Sequence, residues 1–173
     1  SLIHPAQFGV AFYNDTTPGS EDYSLYLSDY YRFHAWPEEY VVPFQAAIAA
    51  IAISGNTIIV FEGTLTGGKV YGVAGSNPAQ MAKWLISDTA PLLNKLSICK
   101  IGQTVYYVTY DGLAAISGGS LEIISKNHFS RVQWMTEYDP TTMIPKVADN
   151  SIFIEHTSGA AANLRFDLDE TGA

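Results

Sequence analysis

The chain has 173 residues, 47% of them hydrophobic and 15% charged, a globular balance that excludes a disordered tail or linker. Nine Lys and Arg against 17 Asp and Glu give a formal net charge of −8, which argues against a phosphate-binding surface and a DNA protein that reads sequence. The same charge is compatible with an acidic wall past which DNA slides.

A 13% aromatic share, with 11 Tyr, and 14 Gly point to a strand-rich protein. The one cysteine, Cys99, rules out an internal disulfide and a Cys-rich zinc site, and within residues 96–101 it reads as a small core hydrophobe. The longest apolar run, residues 41–53, is interrupted by Pro43 and Gln45 and is too short to span a bilayer, so no membrane insertion is expected. A start at Ser1 rather than Met suggests a processed product or an excerpt from a longer polypeptide.

In chain order, Phe8-Gly9-Val10-Ala11-Phe12-Tyr13 has strand character and passes into a surface loop over residues 14–22. Asp15, Glu21 and Asp22 in that loop lack the spacing of a calcium site. Residues 23–28 alternate polar or aromatic with aliphatic side chains, which predicts a strand buried on one face. The aromatic loop that follows, residues 30–40, carries Tyr31, Phe33, Trp36 and Tyr40. It reads as a plug or a subunit-docking surface in preference to a sugar-stacking platform.

Helix propensity over residues 45–52 competes with the Gly55-Asn56 corner, and the corner decides for a strand over 48–53 paired with 57–61. A loop over 63–68 precedes a strand over 69–75. Residues 77–86 look like a short helix, with Pro78 in its first turn and Met81, Trp84 and Leu85 at i, i+3 and i+4.

The segment from Gly102 to Gly118 reads as a β-hairpin turning at Asp111-Gly112. A strand over 120–125 follows, then a helical turn capped by Ser130 and stopped at Asp139-Pro140. Residues 144–147 and 151–155 form another hairpin, and Leu164, Phe166 and Leu168 alternate onto one face.

Gly55, Gly102 and Asp149 each open a small or polar corner before a hydrophobic strand, and they lie 47 residues apart. Such a period suits a repeated four-stranded module, with units over about 23–55, 56–102, 103–149 and 150–173. The expected fold is all-β: a partial β-propeller of about three to four blade-like antiparallel sheets with short helical insertions. The histidines His4, His34, His128 and His156 lie in separate segments, and no nucleophile elbow, phosphate loop or dinucleotide fingerprint is present. Asp111 belongs to its turn, and Asp167 with Asp169 reads as a solvated pair. No catalytic, cofactor or metal residues are therefore assigned.

The run Tyr106-Tyr107-Val108-Thr109-Tyr110-Asp111-Gly112-Leu113, followed by Ser117-Gly118-Gly119 and by Phe129 to Trp134, resembles a pattern in tailed-phage structural proteins. Leu25 to Asp29, Ile58 to Phe61 and Val70 to Gly75 with Asn77-Pro78-Ala79 look like preceding blades of the same family. The resemblance covers roughly residues 23–157. It departs from the pattern at Tyr110, where many such turns carry Pro, and the chain holds too few blades to close a usual propeller.

The resemblance implies a virion protein of the tail-nozzle or tail-tube type, not an enzyme. Copies of it would assemble with neighbouring tail proteins into a ring through which double-stranded DNA exits without specific binding. Tyr31, Phe33, Trp36, Tyr40 and Trp134 are the expected interface or glycan-stacking residues. The alternative is a carbohydrate-binding propeller, in which Tyr31, Trp36, Trp84 or Trp134 stacks on sugar rings; a third class, a glycan hydrolase, would need two carboxylates about 5–10 Å apart.

Overall fold

The computed structural model describes residues 2–63, 67–157 and 163–168 and is built from antiparallel strands. The first sheet contains β1 (Leu2–Ile3), β2 (Gly9–Asp15), β3 (Asp22–Leu27) and β4 (Val41–Phe44). The second contains β5 (Ile48–Ser54), β6 (Thr57–Glu62), β7 (Lys69–Ala74) and β8 (Ala82–Ser87). The third contains β9 (Cys99–Ile101), β10 (Thr104–Thr109), β11 (Gly112–Ser117) and β12 (Ser120–Ile123). A helix, α1 (Arg131–Glu137), precedes the three-stranded fourth sheet of β13 (Met143–Ala148), β14 (Ser151–His156) and β15 (Leu164–Asp167). Each sheet is a meander, its strands paired in chain order.

The 47-residue beat is the first hairpin turn of each sheet. Gly55, Gly102 and Asp149 all adopt left-handed backbone at φ +57°, +57° and +50°, a conformation that suits Gly and that Asp tolerates. One further period upstream falls on Phe8, beside Gln7 at φ +65° in the turn between β1 and β2. The first sheet therefore carries a beat that begins before residue 23. Because the beat marks a turn inside each sheet, the windows 56–102 and 103–149 start one strand after the sheets do.

Burial follows from alternation. In β6, Ile58 and Val60 join a cluster with Val10, Leu25 and Leu27 of the first sheet, while Ile59 and Phe61 join one with Val105 and Tyr107 of the third. In β10 the other face, Tyr106 and Val108, packs with Ile152 and Ile154 of the fourth sheet. Strands covered on both faces read as continuous apolar runs, as 58–61 and 105–108 do. Each fully buried Ile, Val or Leu contributes about 1.5–3 kcal/mol of transfer free energy, so these interfaces carry much of the fold's stability.

Polar stitches join the turns of successive sheets. His4 Nδ1 accepts the Ala6 amide, so its Nε2–H donates to the Asn56 carbonyl at 3.0 Å. Ser54 Oγ donates to the Gln103 carbonyl at 2.6 Å, and the Gly55 amide donates to Gln103 Oε1 at 3.0 Å.

The strand over 48–53, its pairing across residues 54–56 and the strand beginning at 69 are all present, with residues 64–66 of the intervening loop outside those described. Ser130 caps α1 in a full capping box with Gln133, and the helix ends before Asp139-Pro140. The strand expected over 120–125 stops at Ile123, because Ser125 turns inward and its Oγ accepts the Leu113 amide.

Two local readings are corrected. Residues 77–86 are not a helix: Asn77 to Gln80 form a turn, and residues 82–87 are strand β8 on the sheet edge. Trp84 pairs with Gly72 and lies over it, a cross-strand fit that outweighs a three-residue helical stripe. The central hairpin turns at Tyr110-Asp111, since Thr109 pairs with Gly112. Gly112 is already in the strand, at φ +137°, where a Cβ would meet Ser125 Oγ at 2.1 Å.

Candidate functional site

The aromatic loop between β3 and β4 is held by its own backbone. Asp29 N–H donates to Ala35 O at 2.9 Å, Ala35 N–H to Arg32 O at 2.8 Å, and Tyr31 N–H reaches Gln7 O at 2.8 Å. Tyr31 pays for its place with left-handed backbone, φ +55°, and projects 75% exposed. Phe33 and Trp36 are also exposed, and Tyr30 donates its hydroxyl to the Ser76 carbonyl of the second sheet. The tip of Trp36 covers Gly9, where a Cβ would sit 3.2 Å from its ring. The loop is thus a pre-shaped aromatic ledge at one end of the first sheet.

Of the five residues expected at an interface or stacking site, Tyr31, Phe33 and Trp36 share this ledge. Tyr40 does not: it is half-buried against the core between the first and second sheets. Trp134 is not a surface contact at all. It is 0% exposed, and its indole N–H donates to the Thr109 carbonyl at 2.9 Å. Trp84, the remaining indole, is half committed to covering Gly72 and touches the Gly119 turn of the third sheet.

A second feature, missed in the sequence, is an apolar groove where the first strands of successive sheets converge. A cavity of about 390 Å³ is lined by Leu2 and Ile3 of β1, Ile51 and Ile53 of β5, and Ile98 and Cys99 at β9. A neighbouring one of about 420 Å³ shares Leu2 and Ile51 and adds Phe12 and Leu96. Cys99 borders this groove and is only partly buried; its desolvation pushes the thiol up to about 12. A thiol held protonated is a poor nucleophile, and Lys100 and Lys95 complete the lining of the two cavities.

Several titratable groups are tied into local structure. Asp111 pairs with Arg131 at 3.3 Å beside a cavity of about 380 Å³ that also holds Lys126 and Phe129. Asp167 accepts from Ser151 Oγ and Arg165 Nε, which hold its carboxyl below the ordinary range; its expected companion Asp169 lies outside the described residues. Burial raises the Tyr107 hydroxyl, which donates to the Ala90 carbonyl at 2.8 Å. His156 bonds Thr142 through Nδ1 at 2.8 Å. Among the described residues no group of three or more His, Cys, Asp or Glu is placed to hold a metal ion, and no helix is long and apolar enough to cross a membrane.

No protein-family model matches the chain, and no curated protein matches its sequence. The fold and site define an all-β chain of four antiparallel sheets with an aromatic ledge and a largely apolar groove.

Proposed function

We propose that the chain is a structural module whose four sheets are consecutive blades of a partial β-propeller, and that it serves in a phage tail of the nozzle or tail-tube type. The observation that carries the propeller reading is the convergence of β1, β5 and β9 on one groove, with the second strands sandwiched between successive sheets. This is the arrangement expected of blades set around an axis. The clusters among the described residues join the first sheet to the second, the second to the third and the third to the fourth, the contacts that a run of consecutive blades requires.

The tail assignment rests on the resemblance carried by residues 106–113 and the segments around them. In that role the paired sheets supply stiffness, and the ledge of Tyr31, Phe33 and Trp36 docks copies of the chain or neighbouring tail proteins. The charge of −8 keeps double-stranded DNA from adhering as it passes. The protein acts in the virion and catalyses nothing.

Light scattering and negative-stain images of the chain in its full-length context test this reading. Rings with a central hole that bind tail components are expected. A monomer that binds none of them contradicts it. The exposed Trp36 and Tyr31 favour one second reading, a glycan-binding propeller. Glycan-array binding abolished by Trp36→Ala would replace the tail assignment with that one.

A further inference from the structure

The groove shared by the first three sheets is walled by strand edges as well as by side chains. Its two cavities are lined between them by consecutive residues of β5, 49–53, and one of them also by consecutive residues 98–100 at β9. A sheet face would offer every second residue, because successive side chains point to opposite sides. Consecutive residues line a groove only where the strand turns its backbone edge toward it.

Register identifies the backbone groups that point there. In the β5–β6 hairpin Ser54 pairs with Thr57 across a two-residue turn, so Ser54, Ala52 and Ala50 bond to β6 while the N–H and C=O of Ile53 and Ile51 point the other way. Ile48, beyond the bulge in β5, also points outward, and there the edge is closed. The Asn14 side chain accepts from the Ile48 amide at 2.8 Å and donates to its carbonyl at 3.0 Å. The turn end is closed too, by Gln103 on the Gly55 amide and by His4 on the Asn56 carbonyl. Between these closures the outward groups of Ile51 and Ile53 have no partner among the described residues.

The charge along the groove has one sign. Lys95 lines the cavity beside residues 49–51 and Lys100 the cavity beside residues 51–53, and no Asp or Glu lines either. Neither lysine is in an ion pair among the described residues, in a chain whose net charge is −8.

We propose that this groove binds an extended segment of a partner polypeptide, apolar in its middle and acidic at its ends, which adds a strand to the open edge of β5. Backbone pairing satisfies Ile51 and Ile53, apolar side chains settle against Leu2, Ile3 and Ile98, and the carboxylates reach Lys95 and Lys100. A fatty acid would fill the same apolar space and meet a lysine, but it would leave the strand edge without hydrogen bonds, so a peptide is the better complement. Residues 49–53 span roughly 17 Å, the reach of a five- or six-residue strand. An affinity on the order of 0.1 mM is expected of so short a segment. The inference rests on the groove and holds whether or not the chain serves in a phage tail.

The acetylated and amidated peptide Glu-Val-Thr-Val-Thr-Glu, titrated to about 2 mM into the intact chain and followed by NMR, tests it at concentrations that bracket this affinity. Saturable binding is expected, with hydrogen exchange slowed at the Ile51 and Ile53 amides. The same peptide N-methylated throughout, or with Lys in place of both Glu, should bind about tenfold more weakly or worse. Lys95→Glu combined with Lys100→Glu should reverse the preference in favour of the lysine peptide, with circular dichroism unchanged because both side chains are exposed. No saturable binding, binding that survives N-methylation, or a charge preference that the double variant does not reverse overturns the proposal. Decanoate binding in the groove as tightly as the peptide, without protection of Ile51 and Ile53, also overturns it and makes the groove a site for acidic amphiphiles.

Discussion

Tyr13 and Tyr107 are the same residue at the same place in the repeat, two periods apart, and they live in different solvents. Tyr107 is sealed between the second and third sheets with its ring edge-on to Phe61 at 4.9 Å and its hydroxyl bonded to Ala90. Tyr13, on the outward face of the first sheet, is 57% exposed. The contrast shows that an apolar position in a stacked sheet fixes what it is able to bury, while its rank in the stack decides whether anything covers it.

Truncation sharpens that contrast most. Tyr107→Ala is expected to cost about 3–5 kcal/mol by opening a cavity between sheets and losing the bond to Ala90, measured by urea unfolding. Tyr13→Ala in dilute solution is expected to stay within about 0.5 kcal/mol of wild type. Equal losses at the two sites would break the comparison. Trp134→Ala should match the larger loss, because the indole is fully enclosed between the third and fourth sheets and holds Thr109.

A smaller effect is expected where the stack is covered by one side chain rather than by a sheet. At Gly72 an added Cβ would lie 2.4 Å from the Trp84 ring. Gly72→Ala should cost about 1–3 kcal/mol and displace the indole, read as a red shift in tryptophan emission. An unchanged spectrum would mean that the ring does not rest on Gly72.

The smallest effect belongs to the charged end. Asp167 is held below its ordinary pKa by Ser151 and then by Arg165, and it is solvent-exposed. A depressed carboxyl stabilises the fold fully above its unfolded pKa and loses that contribution as pH falls through the folded value. Asp167→Asn should therefore lower the melting temperature slightly at neutral pH and converge with wild type in strong acid. A gap that widens on acidification would contradict the assignment.

The parts of this molecule visible in the sequence are those set by local chemistry. Left-handed corners at Gly55, Gly102 and Asp149 need Gly or Asp, so the beat could be read from residue type and spacing. The Ser130–Gln133 cap was legible for the same reason. Features decided by tertiary partners were not. Trp84 takes its strand conformation from Gly72 on the neighbouring strand, and Trp134 is hidden by a fold that brings Thr109 to it from 25 residues away. Gln7, although left-handed, gives no compositional sign of a turn, and this concealed the first sheet's place in the repeat. The apolar groove is composed of residues from three sheets and has no local signature at all.

The central claim, that packing between successive sheets holds the fold, is tested most directly by hydrogen exchange of the intact chain. The account predicts the slowest exchange in β6 and β10, which are covered on both faces. Exchange in β6 and β10 as fast as in the edge strand β8 would contradict it.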